Sequence, residues 1–123
     1  WRIKANLLTR LPNIVENSFH SDMNSNLSEE KQKEWTTSIF YVNTNNGYTL
    51  FEDGTKVESV ANRMLTFPAD MKHTGTSCTD QQSRVLINFD YMSGFLAYFQ
   101  SEVISQQDFD TKTNNPTEYK DKL

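Results

Sequence analysis

The chain reads as an all-β domain of about eight short strands, arranged as a jelly roll or a small barrel. Three observations carry that expectation. Short runs rich in β-branched and aromatic residues alternate with Asn-Gly, Asp-Gly and similar turn signals. Helical spacing of apolar residues is absent until residue 95. At 123 residues there is chain for one domain with a single modest core.

Residues 2–8 alternate polar and apolar side chains, as a half-buried strand does. Residues 9–16, with Pro12 and Asn13, form a turn or loop, and residues 17–21 are read as the second strand. Residues 22–34 are polar without a continuous apolar face: a loop, with one helical turn after the candidate cap Ser28. Such a loop is placed as a lid would be, and equally suits a tolerated surface insertion. Residues 36–43 make the third strand. Thr44-Asn45-Asn46-Gly47 predicts a hairpin into the fourth strand, residues 48–52, because Asn-Gly tolerates the positive φ of such turns. Asp53-Gly54 marks a second tight turn, residues 55–60 a fifth strand, and Ala61-Asn62-Arg63 a third turn. Residues 64–67 are a sixth strand ended by Pro68, with Met64 and Leu65 read as core. The seventh strand spans 73–77, a polar turn 79–82, and the most strand-like run of all is 84–91.

Beyond the strands, Phe95, Leu96, Tyr98, Phe99, Val103 and Ile104 recur at helical spacing, which predicts an amphipathic C-terminal helix over 95–105. From Gln106 the chain is polar, so the expected organisation is one domain, 1–105, and a polar tail, 106–123.

The net charge is −4 and the basic residues are scattered, which argues against a nucleic-acid groove or an anionic membrane surface as partner. Cys78 is the single cysteine, so no disulfide forms within the chain. No apolar run approaches the ~20 residues that span a bilayer. No secretory leader is visible, the chain beginning at Trp1; a cytoplasmic setting is the expectation.

The chemistry-bearing residues are few, which makes their spacing informative. His20 and Asp22 are two apart, so on a strand they leave the same face. An imidazole and a carboxylate side by side can take two adjacent positions on a divalent metal. The only other histidine, His73, is the candidate third ligand. Two histidines and one carboxylate on one side of a metal, with the remaining positions open, form the facial triad of non-haem Fe(II) oxygenases. His-x-Asp is also a pattern that chance produces, with the Asp capping a turn. Arg84 lies one turn and one strand beyond His73, and its planar guanidinium suits a carboxylate through two parallel hydrogen bonds. Its plain alternative is a solvated strand-end residue. Cys78, five after His73, lacks an activating base and reads as a structural thiol.

Taken together, His20-Ser21-Asp22, residues 38–43, residues 47–51 (Gly-Tyr-Thr-Leu-Phe), residues 62–68, His73 and Arg84 resemble the Fe(II)/2-oxoglutarate-dependent dioxygenase superfamily, and within it the prolyl 4-hydroxylase-like branch. The resemblance runs from about residue 2 to 91. It implies a double-stranded β-helix, a jelly roll in which the second and seventh strands are neighbours and the third and eighth lie together. His20, Asp22 and His73 are then the metal ligands, and Arg84 holds the C5 carboxylate of 2-oxoglutarate. Tyr41 is implied as a further hydrogen-bond partner of that carboxylate; the alternative is a core aromatic. Asn6 and Asn88 are candidate pocket-lining residues.

The implied cofactors are Fe(II) and 2-oxoglutarate, with dioxygen as cosubstrate and ascorbate as an optional reductant. The implied reaction hydroxylates an unactivated C–H bond of a peptide or small-molecule substrate, a prolyl residue being the family-based favourite, with release of succinate and CO2. Two other classes stay open. One is a non-catalytic jelly-roll binding or structural module. The other is a cupin-like metalloenzyme that does not use 2-oxoglutarate; Arg84, and His-x-Asp in place of His-x-His, argue against it.

If Arg84, Leu86 and Asn88 point inward, then Val85, Ile87 and Phe89 point outward beside Phe40 and Val42. That patch is expected to be covered by the 95–105 helix, a further segment or a second subunit, as in a homo-oligomer.

Overall fold

The computed structural model describes residues 1–23 and 26–92. The helix expected over 95–105 and the tail from 106 lie outside the described residues. The elements are β1 (Arg2–Thr9), α1 (Glu29–Gln32), β2 (Trp35–Tyr41), β3 (Tyr48–Phe51), β4 (Lys56–Glu58), β5 (Met64–Pro68), β6 (His73–Gly75) and β7 (Ser83–Met92). The fold is all-β. A four-stranded sheet runs β1-β7-β2-β5 and a three-stranded sheet β4-β3-β6, with every pairing antiparallel. Among the described residues no helix is long and apolar enough to cross a membrane.

The centre of the larger sheet goes to β7 and β2, the two runs richest in β-branched and aromatic residues. Their period-2 alternation sets the inner face: Arg84, Leu86 and Asp90 of β7 and Thr37, Ile39 and Tyr41 of β2 are buried. Both sheets contribute to one core. Ile39, Tyr41, Phe67 and Leu86 come from the larger sheet and Phe51 from the smaller, with Leu8, Val57 and Leu65 packed against them. Phe51 and Phe67 meet edge to face, ring centroids 4.9 Å apart, the geometry that opposed quadrupoles favour. Burial of such side chains contributes about 1.5–3 kcal/mol each.

The helical turn after Ser28 is α1. The Asp53-Gly54 turn joins β3 to β4 as expected: Gly54 has φ +87° and the Asp53 carboxylate accepts from the Thr55 N–H at 2.8 Å. Two residue-level meetings appear. His20 bridges His73, and β2 pairs with β7 in the register Tyr41↔Leu86.

Three local expectations are corrected. Residues 17–21 are not a strand; that segment makes one isolated bridge, His20↔His73, with a second, Glu16↔Thr76, just before it. Its partner β6 is three residues long and already paired with β3 on its other edge. It thus offers little ladder, and Asn17 uses its side chain on the Gly75 carbonyl at 3.0 Å. Residues 44–47 are not a hairpin, because β2 and β3 belong to different sheets. There Asn45 is bonded to Asn43 and to the Gly47 N–H, and Asn46 to Thr79 and Asp80. Met64 is not core: it is 54% exposed on the outer face, opposite Phe40, while Leu65 packs inward.

The outer face of the larger sheet carries half-buried Phe40, Val85, Ile87 and Phe89 together with exposed Ile3, Leu7 and Val42.

Candidate metal centre

His20 and His73 face each other across two backbone hydrogen bonds, His20 N–H to the His73 carbonyl at 3.0 Å and the reverse at 2.9 Å. Directly opposed residues of an antiparallel pair put their side chains on one face. The two imidazoles therefore lie side by side, ring centroids 4.8 Å apart. Two residues after His20 the chain returns a carboxylate to the same place. Asp22 Oδ1 is 3.8 Å from His20 Nε2, and Asp22 Oδ2 is 3.4 Å from His73 Nε2. One ligand atom from each of the three residues lies within 4.8 Å of the others.

The backbone fixes which nitrogens point at that centre. His20 Nδ1 faces the Ser18 carbonyl at 3.2 Å, and His73 Nδ1 faces the Met71 carbonyl at 3.0 Å. A carbonyl only accepts, so each Nδ1 carries the proton and each Nε2 presents its lone pair toward Asp22 when the ring is neutral. Such an anchor on the far nitrogen is what orients a metal-ligating histidine. His73 is buried against Phe67 at 4.7 Å and Phe51 at 6.2 Å, whereas the His20 side chain is 53% exposed and forms the open side.

The field of the cluster holds Asp22 ionised. Burial alone raises its pKa, but hydrogen bonding and charge from His73, then the charges of His20 and Arg2, outweigh it and set Asp22 below the usual carboxylate range. At His73 burial works against the cation. The Asp22 carboxylate, the Met71 carbonyl and the charge of Asp90 more than offset it and lift His73 above the ordinary imidazole value.

Arg84, expected nearby, is 1% exposed. Its Nε donates to Ser59 Oγ at 2.8 Å, Nη1 to the Thr76 carbonyl at 3.2 Å and Nη2 to Thr49 Oγ1 at 3.5 Å. A guanidinium has five N–H groups, so these three bonds leave two without a partner among the described residues. Among the described residues no carboxylate pairs with Arg84. Burial accordingly lowers its pKa, with only Tyr41 and Cys78 acting the other way.

One cavity of about 860 Å³ joins the two halves of the site, lined among others by His20, Asp22, His73, Arg84, Asn6 and Asn88. Asn6 and Asn88 are themselves bonded, Asn6 Nδ2 donating to Asn88 Oδ1 at 3.2 Å. Tyr41 is fully buried, its ring 5.8 Å from Arg84 Cζ and its hydroxyl donating to Thr49 Oγ1 at 2.7 Å. Thr49 faces the cavity between them. Cys78 is a buried free thiol that donates to the Gln81 carbonyl.

Several residues of the site are not apparent from motif spacing. Thr49, Ser59 and the Thr76 carbonyl seat Arg84, and Gly47 leaves room for it: a Cβ there would lie 2.6 Å from Arg84 Cδ. Arg2 and Thr37 lie beside Asp22, and both are bonded to Asp90. A strict period-2 count along the strands could have found Asp90, on the face of Arg84 and Leu86, and Thr37, on the face of Ile39 and Tyr41.

Compared with family models, with curated proteins and with solved structures, the chain finds no match.

Proposed function

We propose that this chain is an Fe(II)- and 2-oxoglutarate-dependent dioxygenase on a jelly-roll scaffold, resembling the prolyl 4-hydroxylase-like branch, which hydroxylates an unactivated C–H bond of a peptide or small molecule. One observation carries the reading. A buried guanidinium with no carboxylate partner among the described residues opens on the same cavity as two imidazoles and a carboxylate with metal-ligand spacing. A buried cation without a counter-charge is strongly unfavourable. A dianionic cosubstrate held at the triad would bring to that cavity the counter-charge Arg84 lacks among the described residues.

The donor set suits the metal. Two neutral imidazoles and one carboxylate on one side, with open positions opposite, fit non-haem Fe(II). Fe(II) bound there, with 2-oxoglutarate and dioxygen, would supply the oxidising power for the hydroxylation, with succinate and CO2 as products. The remaining work belongs to the chain. The Ser18 and Met71 carbonyls hold the histidine rings with Nε2 inward. Arg84, fixed by Ser59, Thr76 and Thr49, presents its two free N–H groups to a carboxylate in one orientation. Phe51 and Phe67 exclude water from the buried side of His73, and the exposed side of His20 admits ligands.

The test is an anaerobic titration of wild type, His73→Ala and Arg84→Lys with Fe(II) and then 2-oxoglutarate, following the visible metal-to-ligand charge-transfer band. The band is expected in wild type and not in His73→Ala. Arg84→Lys keeps the charge but loses the fork, so half-saturation should need about tenfold more 2-oxoglutarate, the equivalent of one charge-assisted hydrogen bond. Iron binding without a band would favour a cupin-like metalloenzyme, and no iron binding a non-catalytic module.

A further inference from the structure

Resting on that assignment of the triad, we propose that Asp90 is a positioning residue for the metal centre: it holds the Arg2 guanidinium away from Asp22, so that the Asp22 carboxylate stays free to ligate.

The geometry is a contest between two carboxylates for one arginine. Arg2 Nε and Nη2 lie 2.8 Å and 2.7 Å from Asp90 Oδ2, while the same Nη2 is 3.7 Å from Asp22 Oδ1. Asp90 wins because the register puts it directly opposite Arg2, β1 on β7. Thr37, on the adjacent strand and also opposite Asp90, adds a second anchor: its hydroxyl donates to Asp90 Oδ1 at 2.9 Å and lies 3.5 Å from Asp22 Oδ2. A hydroxyl has one proton, and the shorter contact assigns it to Asp90. Among the described residues, Asp22's two non-histidine neighbours, Arg2 and Thr37, are therefore committed to Asp90. Asp22 is left with lone pairs directed at His20 and His73 rather than saturated by donors of its own.

Charge points the same way. Asp90 is buried and Asp22 largely so, with side chains 5% and 9% exposed, and they share a single arginine that is half exposed. With a divalent cation on the triad, Asp90 is the carboxylate that balances Arg2. Were Asp90 neutral, the arginine would turn to Asp22 as its remaining carboxylate, and the cation would face an uncompensated positive charge.

The experiment measures Co(II) affinity, by the visible absorption of the bound ion, for wild type, Asp90→Asn, Arg2→Gln, the double variant and His73→Ala, with far-UV circular dichroism of each metal-free protein as the folding control. Asp90→Asn should weaken Co(II) binding by about 10–100-fold, the range for residues that support metal ligands. Adding Arg2→Gln should restore it to within a few-fold of wild type, since the competing cation is gone. Arg2→Gln alone should bind at least as tightly as wild type. That single variant keeps the idea testable if Asp90→Asn fails to fold, because a merely structural arginine would weaken the site when removed. Unchanged affinity in Asp90→Asn, or no restoration in the double variant, overturns the role of Asp90 while leaving the metal site intact. Wild type that binds Co(II) no better than His73→Ala overturns the metal site itself, and the role of Asp90 with it.

Discussion

Asp22 and His73 stand 3.4 Å apart, so a proton on His73 Nε2 and a divalent cation compete for one position. The sign of the pH dependence follows from the two pKa shifts. His73 is raised on folding, so its contribution to the metal-free protein is complete below the unfolded imidazole value of about 6.5 and disappears as pH rises through the higher folded value. Asp22 is lowered, so its contribution is present above about 3.9 and is lost as pH falls through the lower folded value. The metal-free protein should therefore have a higher urea midpoint at pH 5.5 than at pH 8, and His73→Gln should flatten that difference. Metal affinity should run oppositely, rising over the same upper window because ligation needs the neutral ring. Wild-type midpoints that climb from pH 5.5 to 8 more steeply than those of His73→Gln would refute the pairing. At this scale the meeting of His20, Asp22 and His73 was legible: a two-residue spacing and a single remaining histidine leave few combinations. Arg2, Thr37 and Asp90 were not, because their meeting depends on the register of β1 and β2 against β7, which no local spacing encodes.

At the scale of elements, composition located most strands and the Asp53-Gly54 turn, but not which strands pair across the 44–47 connection. The runs that became β2 and β7 declared themselves through β-branched and aromatic content. The Asn45-Asn46-Gly47 signal was misleading for a definite reason. Its glycine serves close approach rather than a left-handed turn: a Cβ on Gly47 would lie 2.6 Å from Arg84 Cδ, 2.8 Å from the Ser77 carbonyl and 2.9 Å from Asn45 Oδ1. Gly54 is the opposite case, with φ +87° and open space around it. The two substitutions to alanine should consequently fail in different ways. Gly47→Ala should destabilise by about 1–3 kcal/mol, as overpacking does, and weaken 2-oxoglutarate binding by displacing Arg84. Gly54→Ala should destabilise by about 1 kcal/mol through backbone strain alone and leave the site unchanged. Urea denaturation and the charge-transfer titration separate them; equal 2-oxoglutarate affinity in both variants would show that Gly47 has no part in seating Arg84.

For the molecule as a whole, the triad ties a weakly held segment to a sheet. His20 and Asp22 sit on a stretch attached by two isolated bridges, whereas His73 belongs to β6 and is paired with Phe51 of β3. With so few backbone hydrogen bonds, the 16–23 segment is the part of the described fold expected to open first. A cation shared by the three side chains would close that opening, and by binding only the folded state would stabilise it by mass action, about 2.7 kcal/mol at a hundredfold excess over Kd. In a domain of this size that corresponds to a rise in Tm of roughly 10–20 °C. The gain should also be local. The His20 amide, which donates to the His73 carbonyl at 3.0 Å, should exchange far more slowly with metal, while amides at the centre of β2 and β7 change only as much as global stability does. His73→Ala should abolish both the Tm shift and the added protection. A metal-dependent Tm rise that survives in His73→Ala, or protection spread evenly over both sheets with none concentrated at residues 16–23, would place the binding elsewhere and remove the triad as the link between that segment and the smaller sheet.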